Sequence, residues 1–276
     1  GITMGKTFIF DAAKCNGCRN CQLACKDEHV DNEWLPYSKP QPDTGQFWTR
    51  IEERIRGQVP KVKIAYIMHM CQHCDGAPCM SAAPEAVYKR DDGLVIIDPS
   101  KAKGHKELVE ACPYGAIFWN EELEIPQKCT GCAHLIDAGE IPHCVDVCPH
   151  GAIRFGDEEE FAEELEQAEA LMPERADRDK PRMHYLNLPK RFLAGIVIDP
   201  EEDEVLIGAK VTAQNVDTGE VLVTQTDDFG DFWFHQVAAG NWQVYFEAEG
   251  YMTRMVEAST VDEDRNMGPV SLYAAS

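Results

Sequence analysis

Beyond Cys148 the chain contains no cysteine, although twelve are packed between Cys15 and Cys148 of its 276 residues. Composition alone therefore marks a boundary between an N-terminal part and a C-terminal part. Basic residues are also scarce, 26 Lys and Arg against 48 Asp and Glu, for a net charge of −22. Phosphate-dominated binding needs clustered lysine and arginine, so nucleic acid is excluded as a partner, as is an anionic membrane surface. The ordinary role of such acidity is solubility or adaptation to salt. No apolar run approaches the ~18 residues of a membrane-crossing helix, so direct membrane insertion is not expected. The N-terminal Gly1-Ile2-Thr3-Met4 has no apolar core of a secretory signal, and Met4 is the expected start. Nucleotide-binding loops, flavin fingerprints and nucleophile constellations are missing too, so the chain is expected not to be a catalyst on its own.

What is present is a set of cysteine runs. They read Cys15-x2-Cys18-x2-Cys21-x3-Cys25, Cys71-x2-Cys74-x4-Cys79, a lone Cys112-Pro113, and Cys129-x2-Cys132-x11-Cys144-x3-Cys148-Pro149. Three close thiolates plus a distant fourth followed by proline is how ferredoxin-type chains hold a cubane, and the fourth cysteine of one run serves the other run's cluster. Pairing the first and last runs gives one cluster on Cys15, Cys18, Cys21 and Cys148 and another on Cys25, Cys129, Cys132 and Cys144. The middle runs are incomplete. Ala83 stands before Pro84 where a cysteine belongs, and Ala102, His105 and Leu108 stand where a third run spaced like the first would have its cysteines. Those four positions form one cluster's ligand set. The surviving Cys71, Cys74, Cys79 and Cys112 form its partner's. Twelve thiols at four per cubane predict three 4Fe–4S clusters.

Other uses of cysteine fit less well. Disulfide scaffolds belong to short secreted chains. Structural zinc uses two separated pairs, whereas Cys15 to Cys25 places four thiols within eleven residues, and zinc gives no reason for the two Cys-Pro pairs.

Along the chain, residues 5–155 read as a ferredoxin-like double-cubane domain with insertions. Thr7–Asp11 is a short apolar strand, Asn20–His29 a helix, and Gly93–Pro99 a β-branched strand with a proline stop. Gly17 and Gly131 lie between the first two cysteines of their runs, where the backbone approaches sulfide closely. Cys112-Pro113-Tyr114-Gly115-Ala116-Ile117 and Cys148-Pro149-His150-Gly151-Ala152-Ile153 are one phrase written twice. The stretch from Trp34 to Val62, with Arg50, Arg54 and Arg56, reads as an irregular solvated insert. Phe161, Leu165, Ala168 and Leu171 recur at helical spacing, predicting an amphipathic helix over 157–172. With the extended Lys180–Pro189 it makes a helix-and-linker segment, 156–191. Residues 192–276 alternate apolar with polar in short runs separated by turn residues, which predicts an all-β immunoglobulin-like sandwich similar to transthyretin-like or carboxypeptidase-regulatory-like domains. The fold class is thus α+β followed by all-β, and the sandwich carries no chemical cluster.

A cubane carries one electron at a potential set by charge, hydrogen bonds to sulfur and exposure, so three of them point to conduction between redox partners. His69, His73, His105, His134, His143 and His150 lie near the cluster loops as candidate donors to sulfur, with ordinary surface or packing roles the commoner use. The cysteine spacing over residues 5–150, the x11 gap included, resembles the iron–sulfur subunits of molybdopterin enzymes of the dimethyl sulfoxide reductase family. That family's usual form has four complete runs. The gap at Ala83, Ala102, His105 and Leu108, together with the sandwich, resembles one branch, the small subunits serving pyrogallol–phloroglucinol transhydroxylase and catechol dehydroxylases. Local phrases agree: Asp27-Glu28-His29 with Glu33-Trp34, Lys106-Glu107-Leu108, Trp119-Asn120-Glu121-Glu122 and Gln127-Lys128-Cys129.

The resemblance implies a heterodimer, or a multiple of one, with a large catalytic subunit. That subunit holds molybdenum, or tungsten, on two pterin guanine dinucleotides and acts on a phenol with adjacent hydroxyls in anaerobic metabolism. An external electron donor or acceptor would sit at the other end of the wire. Two alternatives are a subunit of a thiosulfate, polysulfide, arsenate or sulfoxide enzyme and a free-standing polyferredoxin. Assembly on reduced thiols sets the cytoplasm as the expected compartment, with export on a signal-bearing partner as the alternative.

Overall fold

The computed structural model describes residues 5–275, so the expected start at Met4 lies outside the described residues. The described residues fold as two compact units, 5–53 with 66–188, and 54–65 with 189–275.

The first unit is built on strand Lys6–Asp11, whose Phe8, Ile9 and Phe10 are fully buried. It pairs antiparallel with Ile153–Asp157 and parallel with Met183–Leu186. The second partner corrects the expectation of an extended linker, since Met183 and Tyr185 are buried strand residues. Two helix pairs form on the cysteine runs. Asn20–His29, formed as expected, packs against His143–Asp146, and Pro78–Ala82 packs against Glu107–Ala111. Each pair joins the helix of one cysteine run to that of the run paired with it by spacing. Two small antiparallel hairpins, Val87–Lys89 with Val95–Ile97 and Phe118–Asn120 with Ile125–Gln127, follow the Ala83-Pro84 and Cys112-Pro113 turns.

The predicted helix over 157–172 is much shorter than its periodicity suggests. A 3-10 turn Glu158–Phe161 leads into Ala162–Leu165 and stops there. The reason is tertiary: the backbone of Glu169 exchanges two hydrogen bonds with Tyr185, at 2.7 and 2.9 Å, and so leaves the helix for the sheet. The Trp34–Val62 insert is not wholly irregular either. It contains strand Thr49–Gln58, which forms a hairpin with Lys61–Met70. Charged side chains on both faces of Thr49–Gln58 conceal the alternation that would reveal a strand.

The second unit is a pair of four-stranded sheets. In one, Arg191–Asp199 pairs antiparallel with Glu204–Val205 and Asp231–Val237 and parallel with Arg265–Ser271. In the other, the order is Val221–Gln225, Lys210–Asn215, Asn241–Glu247, Arg254–Ser259, all antiparallel. Period-two alternation builds the core: Trp242, Val244 and Phe246 point inward, and Asn241, Gln243 and Tyr245 do not. Phe232 meets Phe246 edge-on at 5.3 Å, and the Trp242 indole N–H donates to Thr260 Oγ1 at 3.0 Å. Residues 54–65 belong here through Arg56 to Asp264 at 3.3 Å and Lys61 to Asp231 at 2.6 Å. Strands Glu204–Val205 and Arg254–Ser259 escape the sequence reading because both are mostly exposed and lack alternation.

Candidate iron–sulfur sites

All twelve cysteines are unpaired, and eight are buried; Cys15, Cys112 and Cys148 are half-buried and Cys18 is exposed. Their electrostatic neighbourhoods fall into groups. Cys15, Cys18, Cys21 and Cys148 act on one another and line one small cavity with Phe10, Ile51 and Ile153. Cys74 is acted on by Cys71, Cys112 and Cys79. Cys144 is acted on by Cys132, Cys129, Cys25 and, more weakly, Cys21. Cys129 feels Cys25 first and Cys71 next, so the second and third groups adjoin.

Burial pushes the thiols up, with Cys25 and Cys79 at about 11 and Cys21 and Cys132 at about 12. Neighbouring thiols add to the rise at Cys21 and Cys132, whereas hydrogen bonds from Thr49 at Cys25 and the charge of Lys128 at Cys79 oppose it. Buried thiols raised in this way become thiolates only with a cationic group to hold them.

The donor set and backbone fit iron–sulfur ligation. Backbone N–H groups donate to sulfur, His73 to Cys71 at 3.4 Å and Gly131 to Cys129 at 3.3 Å. Gly17 and Gly131 have φ of +75° and +66°, and a Cβ at Gly17 would lie 2.3 Å from the Tyr66 ring. A tetrahedral zinc with bonds of about 2.3 Å would draw its sulfurs together to ~3.8 Å. Among the described residues no three Cys, His, Asp or Glu side chains converge in that way on a position for one ion.

Three of the four cysteine-less positions are sealed into the hydrophobic core: Ala83, Ala102 and Leu108 are each 0 % exposed. The fourth, His105, turns to carboxylates, Glu107 at 2.7 Å and Glu85 at 3.4 Å. The space is filled by packing, and no ligand set remains there.

The other histidines have assorted partners. His69 pairs with Glu52 at 2.5 Å, and His73 Nδ1 accepts from the Val95 N–H at 3.0 Å. His134 and His143 both bind Glu28, at 2.7 and 3.0 Å, while His150 lines the cavity of the first thiol group. Sequence reasoning missed His29. It is buried 3.9 Å from Cys132 Sγ, tilted against Trp48 with ring centroids 4.7 Å apart, and pushed down to about 3 by burial and then by His134 and His143. It is therefore a neutral ring beside a thiol. Its position in the first helix, four residues after Cys25, was the available clue. Lys128 was also missed as a functional residue, although a lysine beside a buried cysteine is itself unusual.

Comparison with known proteins agrees with this geometry. The model of the 4Fe-4S dicluster domain matches residues 62–158, and that of the carboxypeptidase regulatory-like domain matches 193–270. The chain therefore belongs to the iron–sulfur subunits of molybdoenzymes, electron-transfer chains that serve a separate catalytic subunit. More particularly, it is 40% identical over 255 residues to the pyrogallol hydroxytransferase small subunit of Pelobacter acidigallici, covering 88% of this chain and 90% of that one. It is 32% identical over 202 residues to the probable anaerobic dimethyl sulfoxide reductase chain YnfG of Escherichia coli, covering 71% and 97%. It is also 32% identical over 142 residues to a subunit of the tetrathionate reductase of Salmonella typhimurium, covering 50% and 52%. Among the described residues no helix is long and apolar enough to cross a membrane.

Proposed function

We propose that this chain carries three 4Fe–4S clusters, held by Cys15, Cys18, Cys21 and Cys148, by Cys25, Cys129, Cys132 and Cys144, and by Cys71, Cys74, Cys79 and Cys112. Through them it passes single electrons to or from a catalytic subunit with molybdenum on two pterin guanine dinucleotides, whose substrate is a catechol- or pyrogallol-type phenol. The reading is supported jointly: the buried thiols act on one another mostly within the sets that their spacing assigns, and Ala83, Ala102 and Leu108 are sealed into the core where a fourth set would need cysteines. Bound clusters would supply reversible one-electron storage. The protein's own part is to bury the sulfurs, donate backbone N–H groups to them and exclude water. The phenol substrate is supported by the likeness to the pyrogallol hydroxytransferase small subunit along nearly the whole chain.

Removing a ring hydroxyl as water consumes two electrons and two protons, so a dehydroxylase draws current through this chain. A transhydroxylation is redox-neutral and draws none. The test is anaerobic. The complex of this chain with its large subunit is reduced with dithionite, freed of excess reductant, and offered pyrogallol, catechol, tetrathionate or dimethyl sulfoxide. Reoxidation of the cluster absorbance by a phenol supports dehydroxylation, and isomerisation of a phenol without reoxidation supports transhydroxylation. Reoxidation by tetrathionate or dimethyl sulfoxide alone overturns the phenol reading, and a chain that purifies without any large subunit overturns the subunit role.

A further inference from the structure

Lys128 is 3 % exposed, lies one residue before Cys129, and points its ammonium into the first unit's core. Its Nζ donates to the backbone carbonyls of Val95 and of Cys129, the latter at 3.0 Å. Among the described residues no carboxylate forms an ion pair with it. A buried ammonium held only by neutral carbonyls costs several kcal/mol, so something anionic must compensate it. Its Val95 acceptor is tied by its own N–H to His73 Nδ1 at 3.0 Å, and the His73 backbone N–H donates to Cys71 Sγ at 3.4 Å, so cysteines of two runs surround the ammonium and act on it electrostatically, Cys71 first and then Cys79 and Cys129. Cys71 and Cys79 belong to one proposed ligand set and Cys129 to another. The nearby His73 ring is kept neutral by burial and by this same lysine, so it does not share the cationic role.

We propose that Lys128 is a positive charge shared by the Cys71/Cys74/Cys79/Cys112 and Cys25/Cys129/Cys132/Cys144 clusters, raising the reduction potential of both. This rests on the cluster reading above. Adding one electron to a cluster adds one negative charge, which a fixed cation in a low-dielectric interior favours. Lys128 is already protonated, so the step takes up an electron and no proton. Because the cation acts on cysteines of both sets, an electron crossing between them stays within its field. The pair is thereby favoured as a holding place for electrons relative to the Cys15/Cys18/Cys21/Cys148 cluster. Lys128 is a positioning residue for charge, acting through the ligand sulfurs.

The test is an EPR-monitored redox titration of the purified complex carrying wild-type chain, Lys128→Met, Lys128→Gln or Lys128→Arg. The neutral variants should lower the reduction equilibrium constant of two clusters by about tenfold or more, leave the third unmoved, and be restored toward wild type by arginine. Unchanged midpoints in the neutral variants, or a shift of one cluster alone or of all three equally, overturn the proposal. Should both neutral variants lose iron, loss confined to those two sites and prevented by arginine upholds it, and loss in the arginine variant as well overturns it. A wild-type chain without iron would instead defeat the cluster reading itself, which separates the two failures.

Discussion

Replacing Cys112 by serine removes the one ligand that reaches its set from a distant run. Burial pushes the Cys112 thiol up, and the neighbouring Cys71 adds to the rise, while the backbone of Ala116 and Tyr114 opposes it. Serine preserves the shape while withdrawing the thiolate. The three remaining partners are ill-suited to hold iron alone. Burial pushes Cys79 up to about 11, so without a cation only about one part in several thousand is thiolate at pH ~7.5. Burial raises Cys74 as well. The expected outcome is loss of this cluster, with iron falling from about twelve to about eight per chain at four iron per cubane. Reduced-state EPR should lose one of three signals and keep the other two. Three unaltered signals with full iron would refute the assignment, as would loss of a cluster assigned to the other runs.

Other substitutions separate packing from ligation. Leu108→Ala empties a fully buried site and should cost about 2–5 kcal/mol, read as a lower melting temperature with iron content unchanged. Gly17→Ala forces a side chain onto a backbone at φ +75° against Tyr66, a strain of roughly 1–2 kcal/mol before the clash, and should deplete iron at the Cys15/Cys18/Cys21/Cys148 site while sparing the others. Trp242→Ala removes a buried ring and its hydrogen bond to Thr260, so the second unit should lose about 3–5 kcal/mol with iron retained, measured by calorimetry and iron assay. Burial and then the charge of Lys63 hold His235 below its ordinary value of 6.5, and its folded ring resists a proton that the unfolded chain accepts. Stability linked to this residue is therefore full above pH ~6.5 and declines as pH falls below it. An NMR titration should place its midpoint below 6.5 and move it upward in Lys63→Met.

Cysteine spacing made the iron–sulfur class of the first unit legible because ligand geometry restricts sequence more tightly than packing does. The helix Asn20–His29 and the alternating strands of the second unit were legible for the same kind of reason, a strong local period. What failed was decided by distant backbone. Glu169 leaves its helix to pair with Tyr185, and Met183–Leu186 becomes a strand only because Lys6–Asp11 offers it an edge. The first strand of the hairpin from Thr49 to Met70 was hidden because Glu53 interrupts the face that Ile51 and Ile55 share, although Val62, Ile64, Tyr66 and Met68 do recur at every second position in the second. Lys128 and His29 were missed as functional residues because the one clue in sequence, closeness to a cysteine, gives no sign of burial. Only the fold buries the lysine against the carbonyls of Val95 and Cys129 and sets the histidine beside Cys132.

The central claim is that the twelve thiols form three cubane sites and that the fourth site is closed by Ala83, Ala102 and Leu108. Iron and acid-labile sulfide, counted per chain on protein purified without oxygen, test it most directly. The account predicts about twelve of each, and a count near eight or near sixteen would contradict it.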